Sequence, residues 1–271
     1  MNFTCRLITT AAVLVLPLRL AAHDYWLEPD RWAGAPGDPV TLRLLVGENL
    51  KADEEREFQR ARVTQCLFVT AAGRRDLRGT LTEGAKPFVR VTLGVAGTNL
   101  FALERTASSI TLEADQFTDY LREEGLDHIV AERARSGERG RPGRERYARY
   151  LKCYLRAGDA LEAAVPAMTL RLDIAPELRA DRALRVGDEL GVRVSFDGGP
   201  LKHAALFAVT RAADGAAVTQ AVVTDEAGRA TVKLTTAGMW VLRLVHMQRA
   251  PAGDPAADWE SFWAACTLGV R

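Results

Sequence analysis

Residues 189–246 (ELGVRVSFDGGPLKHAALFAVTRAADGAAVTQAVVTDEAGRATVKLTTAGMWVLRLVH) decide the fold class. Five runs rich in β-branched and aromatic residues stand out, at 189–196, 203–209, 217–223, 230–234 and 239–246. Gly198-Gly199 and Asp225-Glu226-Ala227-Gly228 supply the turns between them. The pattern predicts an immunoglobulin-like or prealbumin-like β-sandwich. Within the last run, Trp240, Leu242, Leu244 and His246 recur at strand period two and share a face.

Toward the N-terminus the same signs return. Runs at 40–46, 63–70, 88–93 and 99–103 are broken by Gly- and Asp-containing stretches, which predicts a second, smaller β-sandwich. Pro29, Pro36 and Pro39 hold its opening segment to an extended or edge course. Between the two sandwiches the period changes. Phe117, Tyr120, Leu121, Ile129 and Val130 fit one helical face, and residues 136–143 (SGERGRPG) form a breaker-rich loop. A second helix is expected over residues 144–156, with Tyr147, Tyr150, Leu151, Tyr154 and Leu155 as its stripe. Residues 121–156 carry ten Lys/Arg against six Asp/Glu, which reads as the solvated face of a helical hairpin. The expected organisation is a signal peptide (1–22), an N-terminal β-sandwich (23–112), a helical hairpin insert (113–169) and a C-terminal β-sandwich (170–271).

Residues 1–22 have the zones of a secretory signal: Arg6, an apolar run over 7–18, and a small-residue end at Ala21-Ala22. Twelve apolar residues fall short of the about 20 a spanning helix needs, and no later stretch reaches that length. A periplasmic chain without membrane insertion is therefore expected. Cleavage removes Arg6 and Arg19 and no acid, so the formal charge of +1 becomes −1. That balance gives no overall bias toward nucleic acid. The remaining cysteines, Cys66, Cys153 and Cys266, fit neither a disulfide framework nor a CxxC metal site. They allow one bridge plus a free thiol, or three buried thiols.

Chemistry-bearing residues are few. Cleavage would leave His23 first, able to chelate through its Nδ1 and an α-amine whose ordinary pKa is about 7.7–8.0. A second imidazole would complete a three-nitrogen histidine brace suited to copper(II) or nickel(II). His246 is the preferred partner and His203, after the Gly198-Gly199-Pro200 turn, a further candidate; His128 beside an acidic run is less suited. Asp24, Glu28 and Glu48 could orient an imidazole or add oxygen, while Tyr25, Trp26 and Trp240 could shield the site. No phosphate loop, HExxH or GxSxG motif is present. Residues 258–263 (DWESFW) set two acids among three aromatics, either a sugar platform or a packing cluster at a strand end.

The segments 23–29 (HDYWLEP), 46–48 (VGE), 120–127 (YLREEGLD), 143–147 (GRERY), 187–190 (GDEL), 245–247 (VHM) and 259–264 (WESFWA) together resemble a bacterial periplasmic family. That family is filed as a domain of unknown function and described as a periplasmic component linked to nickel/cobalt uptake. The resemblance spans nearly the whole chain after residue 22 and matches His23 and His246 to family positions. It departs at Asn99, where an aromatic strand residue is expected, and in its three cysteines. It implies a non-enzymatic protein that captures or delivers nickel, cobalt or copper, with a transporter component in the inner membrane as partner. A copper-dependent oxidative enzyme with the same brace is one rival. A metal-free glycan-binding or adhesin-like β-module is the other.

Overall fold

The computed structural model describes residues 23–158, 168–179 and 182–271. The expected signal peptide lies outside them. The chain begins with β1 (Asp24–Pro29), β2 (Ala33–Gly34), β3 (Pro39–Glu48), β4 (Lys51–Arg56), β5 (Val63–Thr70), β6 (Gly73–Asp76), β7 (Val89–Thr92) and β8 (Gly97–Leu112). Helices α1 (Ala114–Glu123) and α2 (Asp127–Arg135) lead into β9 (Gly143–Ala157). Then come β10 (Leu172–Pro176), β11 (Glu189–Phe196), β12 (Gly199–Pro200), β13 (Ala205–Arg211) and β14 (Ala217–Val223). The chain closes with β15 (Arg229–Lys233), β16 (Gly238–Arg249) and β17 (Trp259–Val270).

The protein is mainly β, and its layers are organised by one central sheet of nine strands. Eight run in the order β14-β13-β16-β17-β9-β8-β5-β6, and β2 pairs β9. Its middle is a parallel pair, β17 with β9, in register from Trp259↔Glu145 to Thr267↔Cys153. Strands so placed are covered on both faces and lose the in-out alternation of a surface strand. Odd-numbered residues of β9, β16 and β17, such as Leu151, Val241 and Ala265, pack with Trp26, Leu42 and Leu44 of the β1-β3-β4-β7 sheet. Even-numbered ones, such as Tyr150, Leu242 and Cys266, pack with Ile174 and Val192 of the β10-β11-β12-β15 sheet. The helices cover the same face as the β1 sheet, through Phe117, Tyr120 and Leu121 against Val245, Met247 and Trp263. The two β-sandwich cores thus share one sheet instead of standing side by side.

Helix α1 forms as its apolar spacing predicts, with Phe117, Tyr120 and Leu121 buried. Gln116 accepts from the Glu113 backbone N–H at its start. Gly125, at φ +70°, turns the chain out of the helix. The second expected helix does not form: residues 144–156 lie within β9. A strand buried on both faces carries apolar residues at nearly every spacing, so its tyrosines and leucines also satisfy a helical stripe. Three of its charges, Glu145, Arg149 and Lys152, are buried instead of solvated. Gly143 opens the strand because a Cβ there would lie 2.2 Å from the Phe117 ring.

Asn99, the departure noted above, is fully buried at the start of β8. Its Oδ1 accepts from the Gly94 N–H at 2.7 Å, so it braces the β7–β8 turn where an aromatic side chain could not. The three cysteines are buried free thiols. Burial pushes the Cys66 and Cys266 thiols up to about 12. Among the described residues no helix is long and apolar enough to cross a membrane.

Candidate functional site

The β1 sheet and the helices cover the same face of the central sheet but do not meet above β9. Their seam leaves a cavity of about 240 Å³. Strand β9 supplies its floor with Glu145, Tyr147 and Arg149, three odd-numbered residues that period two aims into one face. Trp263 joins from β17, Tyr25 from β1 and Tyr120 from α1. Beside the floor β8 carries an irregularity: its pairing with β9 jumps from Arg105↔Arg149 to Ser108↔Tyr147. Two residues of β8 stand against one of β9, so the parity of β8 flips. Ile110 and Leu112 thereby line the same cavity.

One end of the cavity is a hydrogen-bonded acid. Glu145 is 2% exposed. Tyr120 donates to Glu145 Oε1 at 3.1 Å, Ser261 Oγ donates to the same oxygen, and Trp263 Nε1 donates to Ser261 at 2.9 Å. Burial raises the pKa of this carboxyl against those bonds, which favours its neutral form. Tyr120 stacks on Trp263 with centroids 5.7 Å apart and planes 6° from parallel, which fixes both rings.

The other end is a guanidinium. Arg149 is 9% exposed, and its Cζ lies 4.0 Å from the Tyr25 ring centroid, 4.7 Å from that of Trp263 and 5.4 Å from that of Tyr147. Its Nε is shielded from solvent and unpartnered. Burial lowers its pKa, opposed by Tyr25, Tyr147 and Asp24. Arg56 lines the same cavity, pairs with Glu54 at 2.8 Å, and has a buried Nε with no partner among the described residues. Behind Arg149 lies a second charged group. Arg243 reaches Asp24 (Nε···Oδ1 3.1 Å) and donates to Glu124 at 2.6 Å. Burial pushes the Glu124 carboxyl up to about 7 despite Arg243, and raises Asp24 as well.

The residues singled out from the sequence are distributed unevenly. His23 lines the cavity mouth, 43% exposed, with Nε2 3.9 Å from Asp53 Oδ2. His246 does not join it. Its even position aims it at the other face of the sheet, 4.4 Å from the Phe196 ring and 6.2 Å from that of Phe262. Burial, with repulsion from His128, holds its pKa down to about 4. The three-nitrogen set is therefore not assembled, because strand alternation separates Arg243, the partner of Asp24, from His246. His203 is exposed, at φ +54°, with Nε2 2.8 Å from Glu226. Trp26 and Trp240 are buried in opposite cores instead of shielding one site. Glu28 pairs with Arg43 and accepts from Trp26 Nε1, and Glu48 ends β3 in solvent. Of the expected set, His23 and Tyr25 line the cavity and Asp24 stands behind it.

Arg149, Glu145 and Tyr147 were missed because residues 144–156 were expected to be helical. Residues 258–263 split between faces. Trp263 and Ser261 enter the site, Phe262 packs on His246, and Asp258 and Glu260 are neutralised by Arg144 and Arg146. Among the described residues no group of three or more His, Cys, Asp or Glu is placed to hold a metal ion.

Residues 20–248 match the family model described as a domain of unknown function, DUF4198. The chain belongs to that family. No curated protein sequence matches this DUF4198 chain. Among solved structures, the D0-D1 domain of Intimin aligns over 91% of this chain and 97% of its own length, at 12% identity and a TM-score of 0.20.

Proposed function

We propose that this DUF4198 protein is an exported, metal-free, non-catalytic β-module that binds a glycan unit in the cavity over β9. The observation that carries the reading is the pairing of aromatic walls with buried polar ends in one recess. Tyr147 and Trp263 line its walls, Tyr147 with ring surface for a sugar, and Glu145 and Arg149 offer hydrogen bonds at either end. Apolar walls with a few convergent polar groups are the usual build of a small-molecule site. The test is a glycan array read with and without EDTA. The expected result is chelator-insensitive binding, lost in Tyr147→Ala; binding abolished by EDTA would contradict it.

A second reading keeps a metal, because of where His23 sits. With cleavage before it, the α-amine and Nδ1 form a chelating pair at the cavity mouth, and Asp53 approaches the remaining Nε2. A carboxylate on the distal nitrogen is the usual way a ligating imidazole is oriented. This reading assigns the protein to periplasmic capture or delivery of nickel, cobalt or copper beside an inner-membrane transporter, without His246. Intact mass of the exported protein followed by metal calorimetry tests it. One-to-one binding lost in His23→Ala but kept in His246→Ala supports it, and a different N-terminus sinks it.

A further inference from the structure

We infer that the glycan unit is acidic: a hexuronate whose carboxylate seats on Arg149 and whose ring lies against Tyr147. This rests on the glycan-binding reading and names the class of sugar. The cation comes first. Arg149 is nine-tenths buried, and among the described residues no hydrogen bond or ion pair reaches its side chain. Its guanidinium is held by the rings of Tyr25, Trp263 and Tyr147 alone. Rings satisfy the faces of a guanidinium but leave its in-plane N–H groups unfilled. That planar fork is the geometry a carboxylate completes with two parallel hydrogen bonds.

A second, independent observation also calls for an anion. Arg105 stands directly opposite Arg149 in the β8–β9 ladder, and its Cζ lies 5.4 Å from the same Tyr25 ring. Like charges directly opposed across strands are unfavourable unless something neutralises them. Among the described residues neither has a carboxylate within ion-pair distance, whereas Arg56, also at the recess, is paired with Glu54. A half-closed site with cations of one sign concentrates an anion.

The far end decides between acids. Glu145 is four residues from Arg149 on the same strand, roughly 13 Å along it at about 3.3 Å per residue. Its Oε1 takes the bonds from Tyr120 and Ser261, which leaves Oε2 for the ligand. A carboxyl there suits a sugar hydroxyl and disfavours a second carboxylate. The cavity of about 240 Å³ lies below the about 300–1,000 Å³ of drug-sized sites, a scale for one sugar ring.

The experiment is calorimetry on the exported protein with methyl galacturonide and methyl glucuronide, their neutral twins methyl galactoside and methyl glucoside, and succinate. The uronides are expected to bind at least about tenfold more tightly than the neutral twins, in line with charge-assisted hydrogen bonds worth about 1.5–3 kcal/mol. Succinate should bind no better than the neutral sugars. Arg149→Met should bring the uronides down to the neutral level without lowering the melting temperature. Arg149→Lys, which keeps the charge but not the fork, should still lose several-fold. Equal affinity for acidic and neutral sugars overturns the carboxylate seat and leaves the glycan reading standing. Binding of succinate alone overturns the sugar class. No saccharide binding here or on the array removes both.

Discussion

Strand β9 carries two buried cations three residues apart, one on each face of the central sheet. Lys152 faces the β10 sheet and is fully provided for: it pairs with buried Asp173 and donates to the Met168 carbonyl at 2.8 Å. Arg149 faces the seam, also buried at 9% exposed against 2% for Lys152, and its guanidinium touches only aromatic rings among the described residues. A buried ion pair stabilises chiefly by avoiding the penalty of an unpaired charge. The Lys152 side obeys that logic, so its polarity is structural. The Arg149 side violates it, and such violations belong to functional sites, where a missing group completes the set.

The largest effect should come from breaking the completed pair. Lys152→Met leaves Asp173 buried and unpaired and should cost about 3–5 kcal/mol in urea unfolding. Adding Asp173→Leu should recover most of it. A small loss in the single variant would erase the contrast between the faces.

The faces should also differ in the sign of their pH dependence. Glu124, bonded to Arg243 and within the electrostatic influence of Asp24 and Arg149, titrates at about 7 when folded against about 4.3 unfolded. The folded state holds a proton that the unfolded chain releases between those values, so this contribution falls as pH rises through the window. Asp24, also raised, adds the same sign. His246 behaves oppositely, at about 4 folded against about 6.5 unfolded. The unfolded chain takes up its proton first, so stability falls as pH drops from 6.5 toward 4. Each contributes at most about 3–4 kcal/mol. Glu124→Gln should flatten the loss toward neutral pH and His246→Leu the loss toward acid, read from denaturation midpoints between pH 4 and 8.

A smaller effect, with the opposite sign to Lys152→Met, is expected at Arg149. Replacing an unpaired buried cation with Met should leave stability unchanged or raise it by about 1 kcal/mol. A drop of several kcal/mol would mean that the ring contacts are structural. Smallest is His23→Ala, expected within about 0.5 kcal/mol because the side chain is exposed at the mouth.

The sequence revealed what local patterns control. The runs at 189–196 and 217–223 coincide with β11 and β14, and the α1 stripe is buried as its spacing implies. Strand β9 was illegible because coverage on both faces erases the period-two signal, and its arginines counted as solvated charge. The site was harder still. Its residues come from β1, β3, β4, β8, α1, β9 and β17, and each looks ordinary among its sequence neighbours. The available hint was the spacing of Glu145, Tyr147 and Arg149, an acid, a ring and a cation two apart. The expected position of His23 after cleavage draws the eye to a residue at the cavity mouth, while the parity of β16 turns His246 to the other face of the sheet.

The most direct test of the cavity as the binding site is the Trp263 indole ¹H–¹⁵N resonance during titration with methyl galacturonide. Trp263 touches both Arg149 and the Ser261–Glu145 chain. Its resonance should move saturably in the wild type and stay still in Arg149→Met. Shifts confined to the His246 side of the sheet, with Trp263 unmoved, would contradict the account.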